Sequence, residues 1–261
     1  IILFAFGIFA ICFSGWIFRQ STAREKLFWD NTIRCETKEL KEGEIKSENI
    51  ALPEDFDVPK SILFKTTHTI AEVWLDGEKI YEYGNEADAP GFMKTPGSCW
   101  HIVDIPGDSS GKNLEVRIIP VYEGYYGNEV SLVYGTQGDC ILKILTDSLG
   151  TLVISCGILF AAVICLLLYC GAARRKRRDK IEAKIEIFLN LGFFSLLVAV
   201  WTLIQCGFLQ FLIPDGRTLY FVEYFSLFLF PVPFNFLLYD ICKSRYHKGA
   251  LIFSSLYLAN M

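Results

Sequence analysis

The sequence predicts a mixed protein, an all-β sandwich followed by an α-helical transmembrane bundle, and three observations predict it. Hydrophobic residues make up 52% of the chain and fall in blocks, several of them near the ~20 residues that cross a bilayer. Five consecutive cations, Arg174, Arg175, Lys176, Arg177 and Arg178, directly follow one such block, Gly150 to Cys170. Cationic loops beside membrane spans stay on the cytoplasmic side. Residues 20–147, by contrast, are polar and carry short alternating segments parted by Gly, Pro and Asp turns, the pattern of a sandwich.

Charge divides the same way. Residues 21–147 hold 13 Lys+Arg against 23 Asp+Glu, a net of −10, and the rest of the chain is +6 within a total of −4. An acidic domain joined to a basic membrane part fits a protein whose soluble portion faces outward. It argues against nucleic acid as a partner of that portion. Both termini read as cut, since the chain opens within an apolar run and stops early in another.

In chain order, residues 1–19 (IILFAFGIFAICFSGWIFR) read as an uncleaved signal anchor, because no small-x-small cleavage pattern follows the apolar run. Residues 20–147 form the predicted sandwich. Ser61–His68 and Thr69–Leu75 are strands, Asp76-Gly77 is a two-residue hairpin turn, and Glu78–Tyr83 is the returning strand. Trp100–Ile105, Asn113–Ile119 and Glu129–Tyr134 follow as further strands, and Cys35–Ile50 reads as an edge strand and a loop. No helical periodicity is expected before the membrane, and residues 141–149 read as a linker. The membrane region, 148–261, contains spans at about 150–170, 187–212 and 219–239, and a fourth, 250–261, that is cut short. Ile213–Thr218 is the polar turn between the second and third of these. A second basic loop, with Lys243, Arg245 and Lys248, agrees in phase with the first. Crossings counted from it place residues 20–147 on the outer side of the membrane.

Chemistry-bearing motifs are few. His68, His101 and His247 have no partner at metal-binding or nucleophile-relay spacing, so no catalytic residue, metal ligand or cofactor is assigned. Of nine cysteines, only Cys35, Cys99 and Cys140 lie in the soluble part, where at most one disulfide can form and its pairing stays open. Aromatics cluster in the sandwich, and aromatic platforms bind sugars. Tyr125 and Tyr126, flanked by glycines, and then Trp100 and His101 are the candidate ligand contacts, for an unknown extracytoplasmic small molecule with carbohydrate as the leading class. Within the spans, Glu223 and Asn235 are polar exceptions, and Pro231 and Pro233 predict a kink in mid-span. These four are the candidates for signal transmission. The bilayer is a partner throughout, and a homodimer is one assembly open to the chain.

The run Ile62–Gly84 (ILFKTTHTIAEVWLDGEKIYEYG) resembles the strand-hairpin core of galactose-binding-like jelly-roll domains. Thr95–His101, Ile105-Pro106 and Gly111–Leu114 look like the matching part of the extracytoplasmic module in the bacterial seven-transmembrane receptors with diverse intracellular signalling modules. Trp201 and the run Phe230–Phe234 are similar to the branch that usually ends in a GGDEF diguanylate cyclase domain. No GGDEF motif occurs here. The resemblance implies the input half of a receptor whose output makes cyclic di-GMP. Two other classes stand beside it: a membrane-anchored carbohydrate-binding or envelope module without output, and, less favoured for want of polar span residues, a transporter subunit.

Overall fold

Alternation in the sequence becomes eight antiparallel strands in the computed structural model, which describes residues 32–34, 46–52, 58–85, 93–122, 131–179, 185–242 and 247–259. The strands are β1 (Thr32–Arg34), β2 (Lys46–Ala51), β3 (Lys60–Thr67), β4 (Thr69–Leu75), β5 (Glu78–Tyr83), β6 (Ser98–Ile105), β7 (Asn113–Pro120) and β8 (Ser131–Gly135). They form two four-stranded sheets, in the orders β1-β8-β3-β6 and β2-β7-β4-β5. Strict burial of every second residue in β4, β6 and β7 turns one face of each sheet inward. Ile62, Phe64, Val103, Ile105 and Leu132 from the first sheet meet Ala71, Val73, Leu75, Leu114, Val116 and Ile118 from the second in one core. The β4–β5 turn is made by Asp76 and Gly77, both at positive φ (48° and 84°), the backbone that a tight hairpin of this hand requires and that glycine adopts at no steric cost.

Among the described residues five helices follow: α1 (Gln137–Asp179), α2 (Glu186–Ile204), α3 (Gly216–Leu229), α4 (Pro231–Cys242) and α5 (His247–Ala259), with a 3-10 turn at Gly207–Phe211. Among the described residues, three stretches, Gln137–Lys176, Glu186–Ile204 and Gly216–Ile241, are long and apolar enough to cross a membrane. The chain divides into two compact units. One gathers the strands, the start of α1 up to Ser148, and Gly207–Tyr220; the other gathers Leu149–Cys206 and residues from Phe221 onward.

Three boundaries differ from the sequence expectation. The linker at 141–149 is helical, because α1 starts at Gln137. Thr136 and Asp139 cap it reciprocally: the Asp139 N–H donates to Thr136 Oγ1 (3.2 Å), and the Thr136 N–H donates to Asp139 Oδ2 (3.0 Å). Cys140 and Ile144, one turn apart, then bury against Leu63 and Val133 on the outer face of the first sheet. The second span ends at Ile204 rather than Leu212, and residues 207–220 fold with the strands. The Gly216–Ile241 stretch is interrupted at Phe230, beside the prolines from which the sequence expects a kink: α3 ends at Leu229, and Pro231 and Pro233 occupy the first turn of α4, where a missing N–H costs least.

Within the helical unit, polar side chains tie neighbouring helices. Ser155 Oγ donates to Thr202 Oγ1 (3.0 Å), Asn190 Nδ2 to Asp240 Oδ2 (2.7 Å), and Asn235 Nδ2 to Ser254 Oγ (2.9 Å). Gln205 donates to Glu223 across a short contact. Interhelical hydrogen bonds of this kind are worth about 0.5–2 kcal/mol each in a bilayer. Asn235 and Glu223 are thus held by partners. Phe194 packs between Phe230 and Phe234 (ring centroids 5.8 and 5.3 Å) beside the proline start. Arg174, Arg175 and Lys176 lie near the C-terminal end of α1, where cations suit the helix dipole, and Lys176 reaches Glu186 at 3.3 Å. The side chains of Arg177 and Arg178, the anchor at 1–19, Cys35, Tyr125, Tyr126, Lys243 and Arg245 lie outside the described residues, as does the side chain of Lys248.

Candidate functional site

Among the described strands, β6 is terminal in one sheet and β5 in the other, and the two lie on the same side. Tyr83 on β5 spans the two, its hydroxyl donating to the Pro96 carbonyl (2.9 Å) and lying 2.8 Å from Cys99 Sγ on β6. Behind it sits His101, with 1% of its surface exposed. Its Nε2 is 2.6 Å from Thr66 Oγ1, its Nδ1 is 3.0 Å from the Tyr81 hydroxyl, and the Phe64 and Tyr83 rings pack on it at 4.8 and 4.9 Å. A neutral imidazole has one donor and one acceptor nitrogen, and two flanking hydroxyls satisfy both.

Burial keeps this cluster uncharged. It lowers His101 from its ordinary 6.5 to about 4 and pushes Tyr81 up to about 12. Tyr83 rises by burial and by the adjoining thiol, and burial raises Cys99 despite the opposing Tyr83 hydrogen bond. Cys99 and Cys140 are buried free thiols. A filled, neutral and hydrogen-bonded cluster presents no nucleophile or base to a substrate. Among the described residues, no three His, Cys, Asp or Glu side chains converge as a metal site would require. The cluster supports the edge strands instead.

Residues 207–220 dock on that supported edge. Trp100 is at a register in β6 where its N–H and C=O face away from β3, as alternate residues of an antiparallel pair must. Both groups are taken by one side chain: the Trp100 N–H donates to Gln210 Oε1 (2.8 Å), and Gln210 Nε2 donates to the Trp100 carbonyl (2.6 Å). The Trp100 indole lies under Gly207, where a Cβ would come within 2.7 Å of Nε1. Further along, Gly216 packs on Tyr83, Cys99 and Pro96 with no room for a side chain. Gly97, at φ +85°, is equally bare against the Gly216 carbonyl. Arg217 donates to the Asn85 carbonyl (2.6 Å), and the Tyr220 ring meets His68 edge-on at 4.9 Å.

Asp215 starts α3 by accepting from the Arg217 N–H (3.1 Å), the Thr218 N–H (3.2 Å) and the Thr218 hydroxyl (2.5 Å). Burial alone would raise its pKa. Those hydrogen bonds and the Arg217 charge outweigh burial and hold the carboxyl below its usual range.

Of the candidate ligand contacts, Trp100 and His101 are neighbours in sequence but not in space. Successive strand residues point to opposite faces. His101 therefore faces the core, while Trp100 faces outward into the contact with Leu63, Val133, Cys140 and Ile144. Neither side chain is presented as an open platform. Gln210, Gly216 and Gly97 carry the geometry and were not among the sequence candidates. The one legible signal was Gln210 itself, an amide within the apolar run Phe208–Leu212. Compared with known proteins, the chain matches no protein-family model and no curated protein.

Proposed function

We propose that this chain is the sensory half of a multi-pass bacterial membrane receptor. Its β domain is an extracytoplasmic jelly roll that binds a small molecule, carbohydrate being the leading class. Its helices pass the signal to a cytoplasmic output domain, a diguanylate cyclase by the resemblance described above. The observation that carries this reading is the membership of Gly207–Tyr220 in the β unit. The segment that joins two membrane-competent helices is built into the ligand domain, and α1 begins there as well. A ligand that favours one arrangement of that domain therefore acts on the ends of three helices, which a tethered binding module would not need. The strand orders support the jelly roll, since 1-8-3-6 over 2-7-4-5 is what two interlocked Greek keys produce. The exposed Arg174 and Arg175 support a cytoplasmic end for α1.

The test is cyclic di-GMP in cells making the full-length protein, compared with a form lacking residues 20–147 and with Phe64→Ala, which opens the core of the β domain without removing it. Differential binding can shift a two-state receptor only by its free-energy difference. The expected change is about fivefold or more, the low end of typical coupling. Unchanged output from both variants at equal membrane levels contradicts the receptor reading and favours an anchored binding module.

A further inference from the structure

We propose that Gln210 is a releasable latch, and that its engagement with the edge of β6 is the switch through which the β domain acts on α2 and α3. The inference rests on the receptor reading and names the coupling residue within it. A terminal strand leaves a row of backbone donors and acceptors unpaired. At Trp100 the Gln210 amide fills that vacancy as an added strand would, with one donor and one acceptor in parallel.

Two features make the latch a switch rather than a fixed joint. Its grip is two neutral hydrogen bonds from one flexible side chain, each replaceable by water at a modest net cost. Beside it, Gly97 meets the Gly216 carbonyl backbone on backbone, so no side chain stands between these two glycines. The segment is only fourteen residues long (207–220), and both its ends continue into membrane-competent helices. A shift of β6, or of the Thr95–Gly97 loop that leads into it, therefore pulls directly on the end of α2 and the start of α3. Trp100 is seated on the opposite face of β6 from His101, so a change in the core cluster reaches the latch through a single strand.

Three substitutions in the full-length protein test this. Gln210→Ala removes both bonds. Gln210→Glu keeps an acceptor for the Trp100 N–H but sets a carboxylate against its carbonyl. Leu212→Ala, two residues further on with its side chain exposed, is the control. Hydrogen exchange of the Trp100 amide is expected to rise about tenfold or more in Gln210→Ala, as one bonded amide is opened, and by less in Gln210→Glu, which keeps an acceptor. Exchange in β4 and β7 stays unchanged. Output measured as cyclic di-GMP moves in the same direction in both Gln210 variants, by about fivefold, while the control stays near wild type. A purely structural cap would raise exchange at Trp100 without moving output, and that result overturns the switch. If deletion of residues 20–147 alters output while the Gln210 variants do not, the latch alone is wrong. If neither alters it, the receptor reading falls with it.

Discussion

Gly216→Val is expected to strip the 207–220 segment from the β domain and to lower the melting temperature of the purified protein. A Cβ at this position overlaps Cys99 Sγ and the Tyr83 hydroxyl and comes 2.9 Å from the Pro96 carbonyl oxygen. None of these can step aside. Cys99 is 1% exposed, Tyr83 is held by hydrogen bonds on both sides, and Pro96 is backbone in a loop fixed by Thr95. Gly216 cannot retreat either, because its own carbonyl rests against Gly97. Overpacking of this kind costs roughly 1–3 kcal/mol. The upper end applies here, because valine adds two further carbons beyond the clashing Cβ, and ~3 kcal/mol corresponds to a drop of roughly 6–12 °C for a protein of this size. Gly150→Ala is the matching control. Its Cβ meets nothing within 4 Å, and alanine favours a helix over glycine. A Gly216→Val protein that melts with wild type would show that the segment does not pack on β5 and β6.

The second large effect is a loss of stability in mild acid, set by His101. Its pKa in the folded protein, about 4, lies below the ordinary 6.5, so between those values the unfolded chain takes up a proton that the folded chain refuses. The contribution of neutral His101 is full above pH 6.5 and is lost as pH falls through the folded value. The gap corresponds to about 3 kcal/mol. His68, also lowered by burial, adds in the same direction. His101→Gln retains a donor and an acceptor for Thr66 and Tyr81 but does not titrate. Thermal unfolding at pH 7, 5.5 and 4.5 is expected to show a steeper fall for wild type than for His101→Gln. Equal slopes would mean that the imidazole is not enclosed as described.

Much of the β domain was legible in the sequence because strands half-buried in a sandwich must alternate. Val73 and Leu75 in β4, and Leu114, Val116 and Ile118 in β7, announce their inward face, and Asp76-Gly77 announces its turn. What alternation could not supply was the partner of each outward face. Trp100 and His101 are both candidate ligand contacts in the sequence, although period-two geometry sends them to opposite faces. The end of the second span differs for a related reason. Phe208, Leu209, Phe211 and Leu212 prolong the apolar run past Ile204, and hydropathy does not distinguish contact with lipid from contact with a protein edge. The start of α1 had a readable signal, the Thr136–Asp139 capping box, which the membrane pattern downstream overshadowed. Gly216 carried no signal, since a glycine required by close backbone approach looks like any turn glycine until its neighbours are known.

The most direct test of the account is hydrogen exchange on the intact full-length protein in lipid nanodiscs, read at the Trp100 amide and across residues 207–220. If the segment between α2 and α3 is part of the β domain, the Trp100 amide and the backbone of 207–213 exchange slowly, together with β3 and β6, and Gly216→Val releases them while β4 and β7 stay protected. Fast exchange through 207–220 in the wild-type protein, at the rate of an open surface loop, with Trp100 unprotected, would contradict it.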